Sequence, residues 1–88
     1  MQPKSLERIA KGFSNHTRIK TLILLEREPN LVLMDIASKL KIDFRTAGEH
    51  TRKLAIAGLI SKKHYGAAVQ HRLTDRGKQV LKFCRTLE

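Results

Sequence analysis

Residues 35–58 contain two helical patterns that lie only three residues apart, and this spacing restricts how the chain can fold. The first pattern predicts a short helix over 35–40. The second begins at Asp43, a residue type that caps helices, and runs to about residue 57, where Gly58 can end it. A link as short as 41–43 permits only a tight turn, so the sequence predicts a helix-turn-helix pair. The residues expected to face inward from the first helix and the turn are Ile36, Ala37, Leu40 and Ile42.

The second helix, whose first part reads DFRTAGEHTRKL, offers few apolar residues to a protein core. Only one narrow stripe would be buried, so most of the helix surface is available to contact another molecule. The inward face is expected to comprise Ala47, His50 or Thr51, Leu54 and Ala57. The residues expected on the opposite face are Phe44, Arg45, Gly48, Glu49, Arg52 and Lys53.

A β-hairpin is predicted directly after this helix. The segments LISKKH and AAVQHRL flank a turn at Tyr65-Gly66, and both are short enough to be strands. Because side chains alternate along a strand, the second segment has two distinct faces. These faces are Val69, His71 and Leu73 on one side, and Gln70 and Arg72 on the other.

The remaining segments predict three further helices and one short strand. A first amphipathic helix would end near Gly12, and Asn15 can cap a second helix that stops at Pro29-Asn30. Residues 31–33 read as a brief strand, and Thr74 can cap a last helix. The prediction is a mainly α single domain over residues 1–88, in the order helix, helix, strand, helix, helix, hairpin, helix. The apolar positions of these three helices are Leu6, Ile9, Ala10 and Phe13, then Ile19, Leu22, Ile23 and Leu25, then Val80, Leu81, Phe83, Cys84 and Leu87.

The chain is strongly basic, with 18 Lys and Arg against 8 Asp and Glu, a formal net charge of +10. Residues 39–72 hold eight of the cations and two of the anions, a net charge of +6. A field of this sign attracts polyanions, nucleic acid first and anionic membranes second. No apolar run approaches the roughly 18 residues that span a bilayer. The start, MQPKSLERIA, lacks the apolar region of a signal peptide, and the single Cys84 suits a reducing compartment, so we expect a cytoplasmic protein.

A helix-turn-helix followed by a basic hairpin is the outline of a winged helix-turn-helix, in which the second helix enters the DNA major groove. The hairpin, or wing, then lies against the DNA backbone or the minor groove. Arg45 and Arg52 lie two turns apart on one face, and each can bind a guanine or a phosphate. Glu49 can accept from cytosine or form an ion pair with a neighbouring arginine. Phe44 can contact a thymine methyl or cover the neighbouring helix.

Phosphate contacts are expected from the start of this helix and from the wing. Thr46 and the free N–H groups of the first turn can bind a phosphate. Lys62, Lys63 and Arg72 are expected to hold the DNA backbone without reading the sequence. The complete predicted DNA-binding set is Phe44, Arg45, Thr46, Gly48, Glu49, Arg52 and Lys53 in the helix, with Lys62, Lys63, His64, Tyr65 and Arg72 in the wing.

Three segments together resemble the ArsR-type winged-helix repressors and related archaeal regulators. They are SNHTRIKTLILL, MDIASKLKIDFRTAGEHTRKLAIAGLI and HRLTDRGKQVL, and the resemblance covers roughly residues 13–82. It implies a transcriptional regulator that binds a pseudo-palindromic operator as a homodimer joined through its first and last helices. Residues 1–13 and 74–88 are then the dimerisation helices. The residues expected at that interface are Leu6, Ile9, Phe13, Val80, Phe83, Cys84 and Leu87.

The chain departs from this family pattern where metal-sensing members bind their ions. Those members carry a Cys pair in the first helix of the helix-turn-helix, where this chain has LVLMDIA. Their other common site needs a His on the last helix, which has none here. We therefore expect no metal and no cofactor. Thr51 also stands where a Leu is usual, and His71 where an aromatic residue is usual.

Two other functional classes remain open at this point. One is a low-specificity nucleoid or architectural DNA-binding protein, which the high positive charge also suits. The other is a winged-helix module that binds RNA or a protein. The sequence contains no catalytic triad, paired carboxylates or phosphate-binding loop, and a chain this short has little room for an enclosed active site, so we do not expect an enzyme.

Overall fold

The computed structural model describes all residues from 1 to 88. The predicted mainly α architecture with a hairpin is confirmed. The elements are α1 (Pro3–Phe13), α2 (His16–Arg27), β1 (Leu31–Val32), α3 (Leu33–Leu40), α4 (Phe44–Ile56), β2 (Ile60–Tyr65), β3 (Ala68–Leu73) and α5 (Asp75–Thr86). None of these helices is both long enough and apolar enough to cross a membrane.

The helix starts follow the capping residues that the sequence contains. Asn15 accepts from the N–H groups of Thr17 and Arg18 at 2.9 and 3.1 Å. Asp43 and Thr74 cap α4 and α5 in the same way. Each cap satisfies N–H groups that have no partner inside the helix, which contributes about 0.5–2 kcal/mol. These three predicted helix starts are confirmed.

The turn of the helix-turn-helix spans residues 41–43, as predicted, but α3 begins at Leu33, directly after β1, and not at Asp35. Lys41 takes a left-handed conformation with φ of 57°, and its N–H bonds to carbonyls of α3. The chain can then reverse direction within the turn. Ile42 is half-buried there, not buried as predicted, because it lies at the edge of the pair.

The three strands form one antiparallel sheet in the order β1-β3-β2. The tip of the β2–β3 hairpin pairs Tyr65 with Ala68, so the turn consists of Gly66 and Ala67. The predicted turn, Tyr65-Gly66, was one residue too early. Gly66 has φ of 59° at the first central position of a two-residue turn, a position that favours glycine.

The hydrophobic core lies where α2, α4, α5 and the base of the hairpin meet. Its leucines are almost completely excluded from solvent, and burying each side chain stabilises the fold by about 1.5–3 kcal/mol. The helices α3 and α4 are held against this core through Ile36 and Leu54. The buried apolar residues are Leu22, Leu25, Ile36, Leu54, Ala57, Leu59, Ile60, Leu73 and Leu81.

The inward face of α2 is rotated relative to the prediction. Leu22 and Leu25 are buried as expected, but Ile19 and Ile23 are only half-buried. Thr21 and Arg18 take the buried positions instead. The prediction was wrong because an apolar pattern does not identify a buried cation whose N–H groups bond to acceptors on other helices.

Helix α1 lies mostly on the surface, and the structure assigns Gly12 a different role from helix termination. Gly12 is within the helix and buried. A Cβ atom at this position would collide with Cβ of Ala57 at the end of α4. The glycine therefore allows close packing of α1 on α4, which side-chain periodicity could not show.

Candidate nucleic-acid interface

The outward face of α4 carries cations that are not held by the fold. The side chain of Arg45 is 91% exposed, and its Nε lies 4.0 Å from Oε1 of Glu49. Such an exposed pair contributes at most about 1 kcal/mol, so it leaves the guanidinium free to move to another acceptor. Arg52 and Lys53 are also exposed and take part in none of the protein's ion pairs. Arg45 and Arg52 thus lie on one accessible face of α4, whereas Lys53 is exposed on the side of the helix toward α1.

The first turn of α4 is less available to an anion than the sequence suggested. Asp43 Oδ1 accepts from the backbone N–H of Thr46 at 2.7 Å, and Thr46 Oγ1 donates to Asp43 Oδ2 at 2.9 Å. The N–H of Thr46 holds the pKa of Asp43 below its usual value, with the Thr46 hydroxyl adding to the effect. Both donors of Thr46 are therefore already used, and the predicted phosphate contact from Thr46 is not supported.

Gly48 does not belong to the exposed face of α4 either. It is half-buried, and a Cβ there would lie 3.7 Å from Cδ2 of Leu33 at the start of α3. Its position therefore faces the α3–α4 contact. Phe44 does lie on the surface, with 58% of its area exposed, which leaves its ring free for an apolar contact.

The hairpin divides its predicted DNA-binding residues between two faces. Lys63, Tyr65 and Arg72 share the outer face, where Lys63 Nζ lies 5.1 Å from the centre of the Tyr65 ring. Lys62 and His64 point to the opposite side, across from His71 and Val69. All five predicted residues are exposed, but because strand side chains alternate they cannot all contact one flat surface.

Arg72 has a partner that the sequence did not indicate. Its Nε donates to Oδ1 of Asn30, in the loop before β1, at 3.2 Å. This bond directs the guanidinium along the sheet and ties the base of the hairpin to that loop. An Asn after a Pro is an ordinary loop residue, so no sequence signal would have identified this contact.

Two histidines near this surface are packed inside the fold. His71 is 2% exposed, and its Nδ1 lies 2.9 Å from the carbonyl of Leu31, to which it donates. Burial lowers the pKa of His71 against the opposing effect of that bond. His71 therefore links β3 to β1 as a neutral ring. It stands at the position where the family that the sequence resembles usually has an aromatic residue.

His50 is half-buried on α4, while Thr51 is fully buried, which decides between the two residues proposed for the inward face. His50 Nδ1 lies 3.4 Å from Nη1 of Arg18 and can accept a hydrogen bond from it. Burial lowers the pKa of His50 first, and the nearby charges of Arg18 and Lys53 lower it further. His50 therefore stays neutral at pH 7 and serves as an acceptor inside the protein.

Comparison with known proteins gives a consistent result. No protein-family model matches the chain. A cadmium resistance transcriptional regulatory protein, a CadC homolog from Staphylococcus aureus, is 29% identical over 73 residues, which is 83% of this chain. The chain spans 60% of the length of that relative.

Solved structures match the fold over almost the full chain. The homodimeric winged helix-turn-helix DNA-binding domain of a possible ArsR-family regulator from Mycobacterium bovis is 19% identical, with a TM-score of 0.86 over 96% of this chain and 78% of its own. HlyU from Vibrio cholerae is also 19% identical, with a TM-score of 0.82 over 97% and 92% of the two chains. This chain has the winged helix-turn-helix fold of the ArsR-type regulators. The resemblance predicted from the sequence is thereby confirmed at the level of the fold.

In this winged-helix fold α4 occupies the position of the recognition helix and β2–β3 that of the wing. The exposed Arg45 and Arg52 lie on α4, and the exposed Lys62 and Lys63 lie on the wing. The arrangement presents positive charge on both elements that a winged helix uses to contact a duplex. The structure contains no group of three or more His, Cys, Asp or Glu side chains placed to hold a metal ion.

Five of the seven predicted dimer residues line a groove between α1 and α5. Leu6, Ile9 and Phe13 line one side, and Val80 and Phe83 line the other. Leu6 and Phe83 are 47% and 55% exposed, so this winged-helix fold leaves much of its apolar surface uncovered there. Neither of the other two lines this groove: Cys84 is half-buried on α5, and Leu87, at the end of α5, is exposed.

Proposed function

We propose that this chain is a sequence-specific double-stranded-DNA-binding transcriptional regulator that acts as a homodimer. The observation that carries the proposal is the accessible cationic face of α4, where Arg45 and Arg52 have no strong internal partner. Arginines of this kind can bind the O6 and N7 atoms of guanine in the major groove. The relative from Staphylococcus aureus is named a transcriptional regulatory protein, which supports the same role here.

The wing would anchor the complex rather than select its sequence. Lys63 and Arg72 lie on its outer face and Lys62 on the other, so these cations would hold different parts of the DNA backbone. Backbone contacts of this type add affinity that falls as salt rises. A regulator of this kind would act in the cytoplasm on the nucleoid, without enzymatic activity or a metal cofactor.

Selection of bound duplexes from a random pool tests this function. We expect an inverted repeat whose half-sites are about one helical turn apart, roughly 34 Å, because a two-fold dimer repeats its recognition helix at that spacing. The selected duplex should bind at least about 1,000-fold more tightly than random duplexes at about 150 mM salt. Similar affinity for both would indicate the low-specificity architectural protein instead, which the net charge of +10 also suits.

The homodimer is proposed to form through the groove between α1 and α5. Phe83→Glu places a charge in this apolar surface, and burying that charge without a partner would cost several kcal/mol. We expect the variant to have a monomeric mass by light scattering at tens of micromolar, where the wild type is a dimer. Lys78→Gln is the control, since it makes the same change in net charge on the side of α5 that faces α2. A monomeric wild type would contradict the proposal.

A further inference from the structure

Four cations surround a cavity between the C-terminal halves of α1 and α4, away from the groove described above. Arg8 and Lys11 come from α1, Lys53 from α4 and Arg18 from α2. Gly12 and Ala57 form the floor, where their close packing joins the two helices. No carboxylate lines the cavity. Its volume is about 260 Å³.

Arg18 is the most constrained of these cations. It is 8% exposed, and its Nε donates to the carbonyl of Gly12 at 2.8 Å. Its Nη2 donates to the carbonyl of Lys11 at 3.2 Å, and its Nη1 lies 3.4 Å from Nδ1 of His50. These three bonds hold the guanidinium in one orientation and leave two of its five N–H groups unused.

The charge of Arg18 is buried without an anionic partner. None of the ion pairs in the protein includes Arg18, and all three of its acceptors are neutral. Buried charges in proteins are normally paired, because removing an ion from water costs several kcal/mol. A cavity that a buried, unpaired cation lines, with three further cations at its rim, has the chemistry of an anion-binding site.

The local charge balance supports this interpretation. The C-terminal ends of α1 and α4 each contribute about −0.5 of a charge. Glu7 lies 3.8 Å from Lys11 and offsets one further unit. Four cations therefore leave an excess of about two positive charges around the cavity. The lowered pKa of His50, to which Arg18 and Lys53 contribute after burial, is consistent with this positive potential.

We propose that this cavity binds a small oxyanion, with Arg18 as its fixed donor and Arg8, Lys11 and Lys53 as mobile cations at its rim. The volume lies below the roughly 300–1,000 Å³ of sites for drug-sized ligands, so a phosphate-sized ion or a small carboxylate fits it better than a nucleotide. The same chemistry occurs in free phosphate and in the DNA backbone. The cavity is lined by residues of α1, α2 and the C-terminal end of α4, and by none from the wing or the first turns of α4. We therefore assign it to a free ion.

The test is a titration of the ¹⁵N-labelled full chain with inorganic phosphate at constant ionic strength, with sodium chloride as the reference salt. We expect saturable shifts confined to the amides of Gly12, Arg18 and Ala57 and to Nε of Arg18, with a Kd on the order of 1 mM. The double variant R8Q/K11Q removes two exposed rim charges, so it should fold normally and bind phosphate at least about 10-fold more weakly.

The control K4Q/K20Q removes two exposed lysines that do not line the cavity. It should retain the wild-type Kd. Shifts that do not saturate, or an equal loss in both double variants, would show attraction by net charge alone and overturn the proposal. Duplex binding without phosphate gives a separate readout. The readout is the slope of the logarithm of duplex affinity against the logarithm of salt concentration. If this slope becomes shallower by about two units in R8Q/K11Q but not in K4Q/K20Q, Arg8 and Lys11 hold DNA phosphates and the free-ion assignment is wrong.

Discussion

Replacing Arg45 and Arg52 together by glutamine is expected to weaken binding to the selected duplex about 100-fold or more. Each arginine that binds a guanine through two hydrogen bonds contributes about 1–3 kcal/mol, and about 1.4 kcal/mol corresponds to a factor of ten. Both side chains are exposed and support no buried contact, so the folded structure should not change. Fluorescence anisotropy with the selected and a scrambled duplex measures the two affinities.

The comparison with a scrambled duplex separates base reading from general attraction. If the arginines read bases, R45Q/R52Q loses affinity mainly for the selected duplex, and the ratio of the two affinities falls. K4Q/K20Q, which removes the same charge elsewhere, should lower both affinities slightly and leave the ratio unchanged. A double arginine variant that retained the wild-type ratio would contradict the role proposed for α4.

Leu54→Ala is expected to lower the free energy of unfolding by about 2–5 kcal/mol, a large part of the roughly 5–15 kcal/mol typical of a domain. Leu54 is fully buried on the inward stripe of α4, where it packs in the core shared with α2 and the base of the wing. The truncation removes apolar contacts and leaves a cavity beneath the recognition helix. Urea denaturation followed by circular dichroism measures the change.

Ile56 provides a matched control two residues along the same helix. It is 71% exposed, so Ile56→Ala removes a similar aliphatic side chain without opening a core cavity. We expect a change within about 0.5 kcal/mol. Equal effects of the two substitutions would mean that α4 is not anchored through its Leu54 stripe.

Local features of the fold could be predicted because their causes lie within a few residues. Asn15, Asp43 and Thr74 each bond to N–H groups two or three residues later, so the identity of the capping residue determines where the helix starts. Gly58 has φ of 76°, as expected for the glycine that ends α4. The exposed cations of α4 were also predictable, because helical periodicity separates them from the buried stripe.

The predicted boundaries were wrong by one or two residues where one element directly follows another. The start of α3 moved from Asp35 to Leu33 because the preceding strand is only two residues long. The wing turn moved by one residue because Gly66 occupies the position that needs a positive φ. In both cases the residue pattern indicates the element, while its boundary depends on how the adjoining strand pairs.

Which charged side chains are buried, and where the small residues pack, could be determined only from the tertiary structure. Nothing local marks Arg18 as buried, because its acceptors are carbonyls at the end of α1 and a ring on α4. Gly12 packs against Ala57 and Gly48 against Leu33, contacts between different helices that periodicity within one helix does not show. Periodicity and capping therefore account for the order of the elements and the exposed face of α4, because both act over one or two helical turns. The basic cavity and the division of the wing depend on contacts between residues far apart in sequence, which arise only when the elements pack together.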